Sequence, residues 1–430
     1  MKELLARHAK VLIIGGGGRE HAIGLRLVTD GISHLCFAPG NAGTASIGVN
    51  LDETLDPNNF EAICEFVTHC GISLVVIGPE APLAAGLVDY LRDKNIPVIG
   101  PTQAAAKLES SKIFARELMA EKNIPQPSYA VCSNWDAAVA ELREHTQMGG
   151  GSIVIKVDGL AAGKGVFVCH DHEDIYYAME AVYEDKKFGD TKIIIEECLE
   201  GTEMSLFALC DQSGYVVLGT AQDYKRLLDG NHGPNTGGMG SIAPSPLETP
   251  ELIAKVEDRI IKPILQAMNE RGAPFTGFLY CGLMIKDGEP YVIEFNVRLG
   301  DPETQVILPL IENNFFDLLW LAAHDQVATA KISCSELCAA CVIKVAQGYP
   351  EQYPKGEIIS GHPESKRVIH AGTKLNAKGQ AVTNGGRVLG VVGINYGLAG
   401  AIKNAYSLIR CAEFSNEFYR RDIGGEYLPE

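Results

Sequence analysis

The sequence lacks an apolar stretch near its start that could enter a membrane, and it lacks an excess of positive charge. The first apolar run, residues 11–14, ends at a row of glycines. It is far shorter than the roughly 20 residues of a spanning helix, and shorter than the apolar core of a signal peptide. With 37 Lys and Arg against 54 Asp and Glu, the net charge is −17. This charge disfavours nucleic acid or an anionic membrane as a partner.

The sequence also lacks the cysteine spacing of a structural zinc site. Its twelve cysteines are scattered, and the one CxxC pair, Cys338 and Cys341, has no second pair at zinc spacing. Most of them lie inside apolar runs, which is typical of reduced, buried thiols. We therefore expect a cytoplasmic protein without a zinc site.

The chain of 430 residues is too long for one hydrophobic core, which stops growing at roughly 250 to 300 residues. In the first hundred residues, short apolar strands alternate with helices near 60–70 and 83–94. Such repeated β-α units predict an open parallel sheet. We therefore expect an N-terminal α/β lobe over residues 1–110, with ligands bound beyond the carboxyl ends of its strands.

The rest of the chain reads as a mixture of α+β units. A helix is predicted over 102–122, followed by a small lid lobe over about 126–194. A central lobe over about 195–328 combines antiparallel strands with a helix near 250–271, and it completes a region spanning 111–328. Short strands and one late helix, 399–411, indicate a mixed C-terminal lobe over 329–430. The predicted fold class is therefore multidomain α/β and α+β.

The first glycine loop follows the first strand and begins a helix, an arrangement that binds phosphate. Counted from Gly16, the third position of the dinucleotide fingerprint falls on His21, where Gly or Ala is needed. No acidic residue follows the second strand to bind a ribose. We therefore favour a phosphorylated small molecule over NAD or FAD, with a purely structural turn as the alternative. The expected anion site consists of Gly16, Gly17, Gly18, Arg19 and Asn41.

The second glycine loop, residues 157–165, joins two strand-like runs but is not a Walker A motif. Three residues rather than four separate its glycines Gly159 and Gly163, and Gly165 follows Lys164 where Ser or Thr is required. We expect a mobile β-hairpin whose glycines approach phosphates, with Lys156 supplying charge from the strand. An ordinary glycine hairpin with a solvated lysine is the alternative.

Two further segments carry polar side chains that suit phosphoryl chemistry. On a strand, Glu294, Asn296 and Arg298 share one face, because side chains alternate with period two. Carboxylate and amide oxygens suit Mg²⁺, and Arg298 can offset the charge of a transferring phosphoryl group. The polar loop over 223–240 is long for a compact domain, which favours function. The candidates are Asp223, Lys225 and Arg298 as catalytic residues and Asn235 as a substrate contact.

With these segments in order, the chain resembles the glycinamide ribonucleotide synthetase family of the ATP-grasp superfamily. The resemblance covers nearly the whole chain. Tyr224 stands where His is expected, and Asn231 where Asp is usual, so the fine substrate contacts of that loop differ. The segments that carry the resemblance are GGGGREHA at 15–22, PGNAGT at 39–44, KVDGLAAGKG at 156–165, GPNTGGMG at 233–240, EFNVRLGDPE at 294–303 and YRRDIG at 419–424.

The resemblance implies that ATP lies between the lid and the central lobe, close to the Gly163, Lys164 and Gly165 loop. It also implies Mg²⁺ or Mn²⁺ at Glu294 and Asn296. Arg387 of the C-terminal lobe is expected to close over the substrate of the first loop. The implied ATP contacts are Lys112 and Lys156 on the phosphates, Glu196, Glu197 and Leu199 on the adenine, and Glu203 on the ribose.

The activity implied by the resemblance is ATP-dependent joining of glycine to 5-phosphoribosylamine, through glycyl phosphate, in purine biosynthesis. Because a carboxylate is a poor acyl donor, it must be activated first. Positioning and charge neutralisation then carry the phosphoryl step. The alternatives are another ATP-grasp ligase or carboxylase, an NAD-linked oxidoreductase, and a non-catalytic metabolite-binding protein.

Overall fold

The computed structural model describes residues 8–51, 55–147, 150–161 and 165–428. The predicted ATP contacts Gly163 and Lys164 lie outside the described residues. Among the described residues, no helix combines the length and the apolar character that a membrane crossing requires.

The N-terminal lobe contains the predicted open sheet, with five strands that all pair in parallel. The predicted helix over 83–94 is instead two helices, because Gly86 adopts a left-handed conformation with φ of +94° between them. In spatial order the strands are Val49–Asn50, His34–Pro39, Lys10–Gly15, Leu74–Ile77 and Val98–Ile99. The helices are Gly18–Thr29, Phe60–Cys70, Glu80–Ala85 and Leu87–Arg92.

The single helix predicted over 102–122 is also wrong, since the structure has two helices, Gln103–Ser110 and Lys112–Glu121. Ser111 between them is extended, and its hydroxyl accepts a hydrogen bond from the Phe114 amide. Serine at this position caps a helix, so it ends one helix and begins the next. The break places Lys112 in the first turn of the second helix.

The lid lobe has its own antiparallel sheet and its own small apolar core. Its strands, in spatial order, are Tyr129–Cys132, Ile193–Glu197, Ile153–Val157 and Val166–Cys169. Two α-helices cover them, Trp135–Gln147 and His172–Met179, and a π-helical turn, Glu180–Glu184, extends the second.

A nine-stranded sheet runs through the regions predicted as central and C-terminal lobes. Gly240–Ala243 and Leu337–Ala346 pair in antiparallel and make the sheet continuous across the predicted boundary near 328. The lobe limits given above stay a prediction. In order, the strands are Glu289–Asn296, Gly277–Lys286, Thr202–Asp211, Gly214–Asp223, Gly240–Ala243, Leu337–Ala346, Arg387–Tyr396 and Val368–His370, with Glu417–Phe418 beside Leu337–Ala346.

Shorter elements complete these regions. The two-stranded pairs are Arg226–Leu228 with His232–Asn235, Ser360–Gly361 with Ala412–Glu413, and Thr373–Leu375 with Ala381–Thr383. The helices are Pro250–Val256 and Lys262–Glu270 joined by the π-helical turn Glu257–Ile261, then Thr304–Ile307, Phe315–Ala322 and Leu398–Ser407. The 3-10 turns are Thr44–Ser46, Asp229–Asn231, Leu308–Leu310, Val327–Thr329 and Gly425–Tyr427.

A pair of buried histidines joins the first helix to the last part of the sheet. The His370 amide donates to Nδ1 of His21 at 2.9 Å, and the two rings meet edge to face. Nε2 of His370 donates to the Pro363 carbonyl at 2.9 Å. Burial, with a smaller effect from His370, lowers the pKa of His21 to about 3. His21 is therefore neutral in the folded protein.

Because His21 is neutral in the folded protein, we expect the free energy of unfolding to fall in acid. Because the folded pKa lies below the unfolded value of 6.5, its contribution is complete above pH 6.5 and falls as the pH drops towards 3. The slope for one such group is about 1.4 kcal/mol per pH unit. We expect His21→Asn, which keeps an acceptor near the Nδ1 position, to flatten the dependence of the unfolding free energy between pH 6.5 and 4. Chemical denaturation measures this, and the exposed His69→Asn control should retain the wild-type slope.

Candidate active site

The candidate site is centred on Glu294, near the end of the strand Glu289–Asn296. Burial raises the pKa of Glu294, but four cations outweigh this effect and lower the pKa below its usual value. These cations are Lys225, Lys156, Arg298 and Lys112. The structure therefore brings together four of the predicted phosphate-binding and catalytic side chains, drawn from four separate segments of the sequence, around one carboxylate.

The oxygen atoms of Glu294 and Asn296 suit a divalent cation. Among the described residues, the Glu294 carboxylate forms no hydrogen bond and no ion pair shorter than 4 Å. Oδ1 of Asn296 accepts from Arg298 at 2.8 Å and has a second lone pair, whereas its buried Nδ2 has no partner. Among the residues that the structure describes, no group of three or more His, Cys, Asp or Glu side chains is arranged to bind a metal ion. A cation here would complete its coordination with phosphate oxygens and water.

Arg298 lies two residues beyond Asn296, past the end of the strand, and is held by two acids from the N-terminal region. Its Nη2 donates to Glu109 at 2.8 Å, and its Nε is 3.5 Å from Glu80. Burial lowers the pKa of Arg298, but Glu109 and Glu80 outweigh this effect and raise it. Glu109 also accepts from the Val297 amide at 2.8 Å, while burial raises its own pKa.

A second buried network fixes Lys156 at the base of the lid. Its Nζ is 2.9 Å from Glu196 and donates to the Ile293 carbonyl at 2.8 Å. Arg116 makes two further hydrogen bonds to Glu196, at 2.7 and 2.8 Å. Burial lowers the pKa of Lys156, while the cations hold the pKa of Glu196 down against the opposing effect of burial.

This network limits how Glu196 could contact adenine. Its carboxylate is paired with Arg116 and Lys156, so a contact through the side chain would break two buried ion pairs, whereas its backbone is not engaged by them. The adenine contact of Glu196 stays a prediction. Glu197 is exposed and accepts from the Ser128 hydroxyl at 3.1 Å, and Leu199 follows the strand in a half-buried position. An adenine contact from the segment Glu197 to Leu199 stays a prediction.

Lys112 joins the lid loop to the site. Its Nζ donates to the Gly159 carbonyl at 2.8 Å, and Asp158 of the same loop accepts from the Ile113 amide at 3.2 Å. Burial lowers the pKa of Lys112. The helix that begins at Lys112 is therefore attached directly to the glycine loop of the lid.

Gly165 ends that glycine loop, and it has no room for a side chain. A Cβ at this position would lie 2.7 Å from Cβ of Ala161 and 3.2 Å from Cβ of Val157. We expect Gly165→Ala to displace the loop and raise the KM for ATP on the order of tenfold. Steady-state kinetics with varied ATP measure this. Gly151→Ala, in the same lobe and with open space around its Cβ, is the matched control and should behave as wild type. Unchanged ATP kinetics in Gly165→Ala would show that the loop is only a turn.

The polar loop contributes Asp223 and Lys225 to the site. Nζ of Lys225 is 2.6 Å from Glu203 and 4.0 Å from Asp223. Burial raises the pKa of Asp223 to about 8, and neighbouring carboxylates, led by Glu303, add to this against the opposing effect of Lys225. Glu203, expected on the ribose, is paired with Lys225 and half exposed, so its ribose contact stays a prediction. Asn235 ends the short strand His232–Asn235, opposite Arg226.

Arg387 reaches from the C-terminal region into the same area. Its guanidinium donates to the carbonyls of Gly237 and Asp301 and is 3.4 Å from the Asp301 carboxylate. Asp301 in turn accepts from the Arg19 amide at 3.2 Å. The structure thus brings Arg387 next to the first glycine loop, while its contact with a substrate stays a prediction.

Several groups of the expected anion site in the first loop have partners within the protein, and the anion site stays a prediction. The Gly17 amide donates to Glu20 at 2.6 Å, and the Arg19 guanidinium binds Glu20 and the Leu299 carbonyl. The Asn41 amide nitrogen donates to the carbonyls of Gly16, Gly17 and His370. A phosphate at these groups must therefore displace Glu20 or use other atoms of the loop.

Sequence reasoning missed two supporting residues, Arg116 and Glu109, and it placed a third, Glu80, at the ligand edge of the sheet without a role. Arg116 and Glu109 lie inside helical patterns, where a charged residue usually faces solvent, and no local signal marks them as buried. Glu80 follows the strand Leu74–Ile77, at the sheet edge where ligand loops are expected. For Glu80, this position after a strand was the one sequence signal of a role in the site.

The parallel N-terminal sheet, the lid hairpin and the cluster of cations and carboxylates around Glu294 together define an enzyme of the ATP-grasp class. The comparisons with known proteins agree. Three models of phosphoribosylglycinamide synthetase match in order, the N domain over 9–109, the ATP-grasp (A) domain over 110–304 and the C domain over 339–426. The chain belongs to the phosphoribosylglycinamide synthetase family.

Similar proteins support this membership over the full length. The phosphoribosylamine–glycine ligase of a Nostoc species is 43 % identical, over 96 % of this chain and 99 % of the relative. The crystal structure of the Thermotoga maritima phosphoribosylamine–glycine ligase is 35 % identical with a TM-score of 0.82, over 96 % of this chain and 100 % of that one. A third similar structure is the biotin carboxylase domain of Hydrogenobacter thermophilus 2-oxoglutarate carboxylase, solved with MgADP. It is 17 % identical with a TM-score of 0.70, over 95 % of this chain and 91 % of that one. At this identity the similarity shows the fold alone.

Proposed function

We infer that the protein is a phosphoribosylamine–glycine ligase, which uses ATP to join glycine to 5-phosphoribosylamine in purine biosynthesis. The products are glycinamide ribonucleotide, ADP and phosphate. The observation that carries this conclusion is the half-buried Glu294 carboxylate with its four cations, in a chain that matches the family over all three domains. Four cations around one carboxylate suit a polyphosphate and an activated acyl group.

In the proposed mechanism, the glycine carboxylate attacks the γ-phosphate of ATP to form glycyl phosphate. The amine of phosphoribosylamine then attacks the acyl carbon, and phosphate leaves. Lys112 and Lys156 hold the polyphosphate, while Arg298 and Lys225 face the charge that develops on the transferring group. Asp223, 4.0 Å from Lys225 Nζ, is the candidate to accept the proton that the amine loses, in its ionised form.

Mg²⁺ or Mn²⁺ held by Glu294 and Asn296 would neutralise phosphate charge during transfer. The choice of these two ligands rests on their oxygen atoms and on the unpaired state of the carboxylate. Their place at the end of the strand Glu289–Asn296, among the cations expected on ATP, supports the assignment.

We further propose that the glycine substrate lies near the polar loop, with Asn235 among its contacts. Phosphoribosylamine is assigned to the side of the first glycine loop, near Arg387 and Asp301. Nucleic acid and membranes are not expected partners because of the net charge of −17. The free cysteines favour a cytoplasmic location.

A coupled ADP-release assay tests the function. Release should require both glycine and phosphoribosylamine, and it should fall to background when glycine is replaced by another carboxylic acid. Equal rates with a different acid would assign the chain to another ATP-grasp ligase or carboxylase. A nicotinamide-dependent absorbance change without a need for ATP would instead support an oxidoreductase.

A further inference from the structure

One motif of the sequence, YRRDIG at 419–424, has no role in the site as described so far. Its first arginine, Arg420, is only 2 % exposed, whereas the next residue, Arg421, is exposed. A buried arginine costs free energy unless its charge and its donors are satisfied. The contacts of Arg420 therefore show what the motif holds in place.

Arg420 is paired within its own segment. Its Nε and Nη2 donate to the two carboxylate oxygens of Asp422, both at 2.8 Å, in a bidentate pair. Oδ2 of Asp422 also accepts from the Gly230 amide at 2.7 Å, in the polar loop. The pair is thus attached to the far part of that loop.

The remaining contacts of Arg420 lie on either side of Lys225. Its Nη1 donates to the Arg226 carbonyl at 3.1 Å, and its guanidinium stacks over the Tyr224 ring at 5.3 Å from the ring centre. The hydroxyl of Tyr224 donates to Glu426 at 2.7 Å, again in the C-terminal segment. Both neighbours of Lys225 in the chain are therefore held by one guanidinium and the segment that carries it.

We propose that Arg420 is a positioning residue for the ligation reaction, which fixes the backbone around Lys225 so that its Nζ stays beside Glu203 and Asp223. This inference rests on the catalytic role proposed above for Lys225. A lysine side chain has many rotamers, so a fixed backbone on both sides limits how far the ammonium group moves. A displacement of about 1 Å in a phosphoryl-transfer site costs up to about a hundredfold in rate.

The test compares two neighbouring arginines in the full-length enzyme. Arg420→Met should lower kcat by about ten- to a hundredfold. Its affinity for ATP, measured by calorimetry, should stay within twofold of wild type, because the predicted phosphate contacts Lys112 and Lys156 are not moved. Arg421→Met, at the exposed position, is the matched control and should retain wild-type kcat. Wild-type kcat in Arg420→Met would overturn the inference, and so would an equal loss in both variants.

A milder variant covers the case in which Arg420→Met does not fold. Arg420→Lys keeps the charge and one hydrogen bond but loses the bidentate pair, so kcat should be intermediate, with a circular dichroism spectrum like that of wild type. In a Lys225→Met background, in which the cation is already removed, Arg420→Lys should have little further effect on the remaining rate. A full additional loss there contradicts positioning through Lys225. Wild-type rates in Lys225→Met alone would instead refute the premise that Lys225 is catalytic.

Discussion

Glu294→Gln is expected to lower kcat/KM by about a thousandfold or more while the protein still folds. The substitution keeps the volume of the side chain and removes only its charge. That charge balances Lys225, Lys156, Arg298 and Lys112, and it is the predicted ligand of the divalent cation. The loss should therefore appear both in turnover and in the metal dependence of ATP binding.

Two measurements separate this effect from a general loss of structure. The melting temperature without ligands should change by only a few degrees, whereas calorimetry should show weaker, less magnesium-dependent ATP binding. Glu289→Gln is the matched control, because Glu289 lies on the same strand but is paired at the surface with Lys255 and Arg259. Its activity should be that of wild type. Near wild-type turnover of Glu294→Gln at limiting Mg²⁺ would remove Glu294 from the mechanism.

Arg298→Met is expected to lose both activity and stability. It removes the cation that we propose to face the transferring phosphoryl group, and it leaves the buried Glu109 without its ion pair. Breaking one side of a buried pair costs about 3–5 kcal/mol of folding free energy. Denaturant unfolding measures the second effect, and single-turnover ADP formation measures the first.

A double variant separates the two roles of Arg298. In Arg298→Met with Glu109→Gln, the uncompensated carboxylate is gone while an acceptor for the Val297 amide remains. We expect the double variant to recover most of the unfolding free energy but none of the activity. Recovery of activity together with stability would show that Arg298 only supports the fold.

The local pattern of the sequence predicted the strands of the N-terminal sheet well. The runs at 11–14, 35–37 and 74–77 are short, apolar and followed by glycine or proline, and the structure places them in one parallel sheet. The helices were predicted less well. Ser111 and Gly86 each divide a predicted helix, because a serine cap and a left-handed glycine act through backbone geometry that apolar periodicity does not record.

The candidate site shows a similar division. Glu294 and Asn296 could be read from alternation along one strand, because side chains two residues apart share a face. Arg298 was predicted on the same strand, but the strand ends at Asn296, so that part of the prediction is wrong. The partners of Arg298 could not be predicted from the local sequence, since Glu109 lies 189 residues away. Glu196 shows the same limit, because its partner Arg116 is 80 residues distant in the sequence.

By itself, the sequence determined the family and the order of its domains, because these depend on short motifs with fixed spacing, and it supplied the candidate residues for phosphate chemistry. The tertiary structure alone decided which charges are paired and which are free. Glu20 occupies the Gly17 amide, whereas the Glu294 carboxylate, within the described part of the chain, lies unpaired among cations. The physical reason is that the charge state and availability of a buried group depend on neighbours brought together by folding, and no local pattern encodes those neighbours.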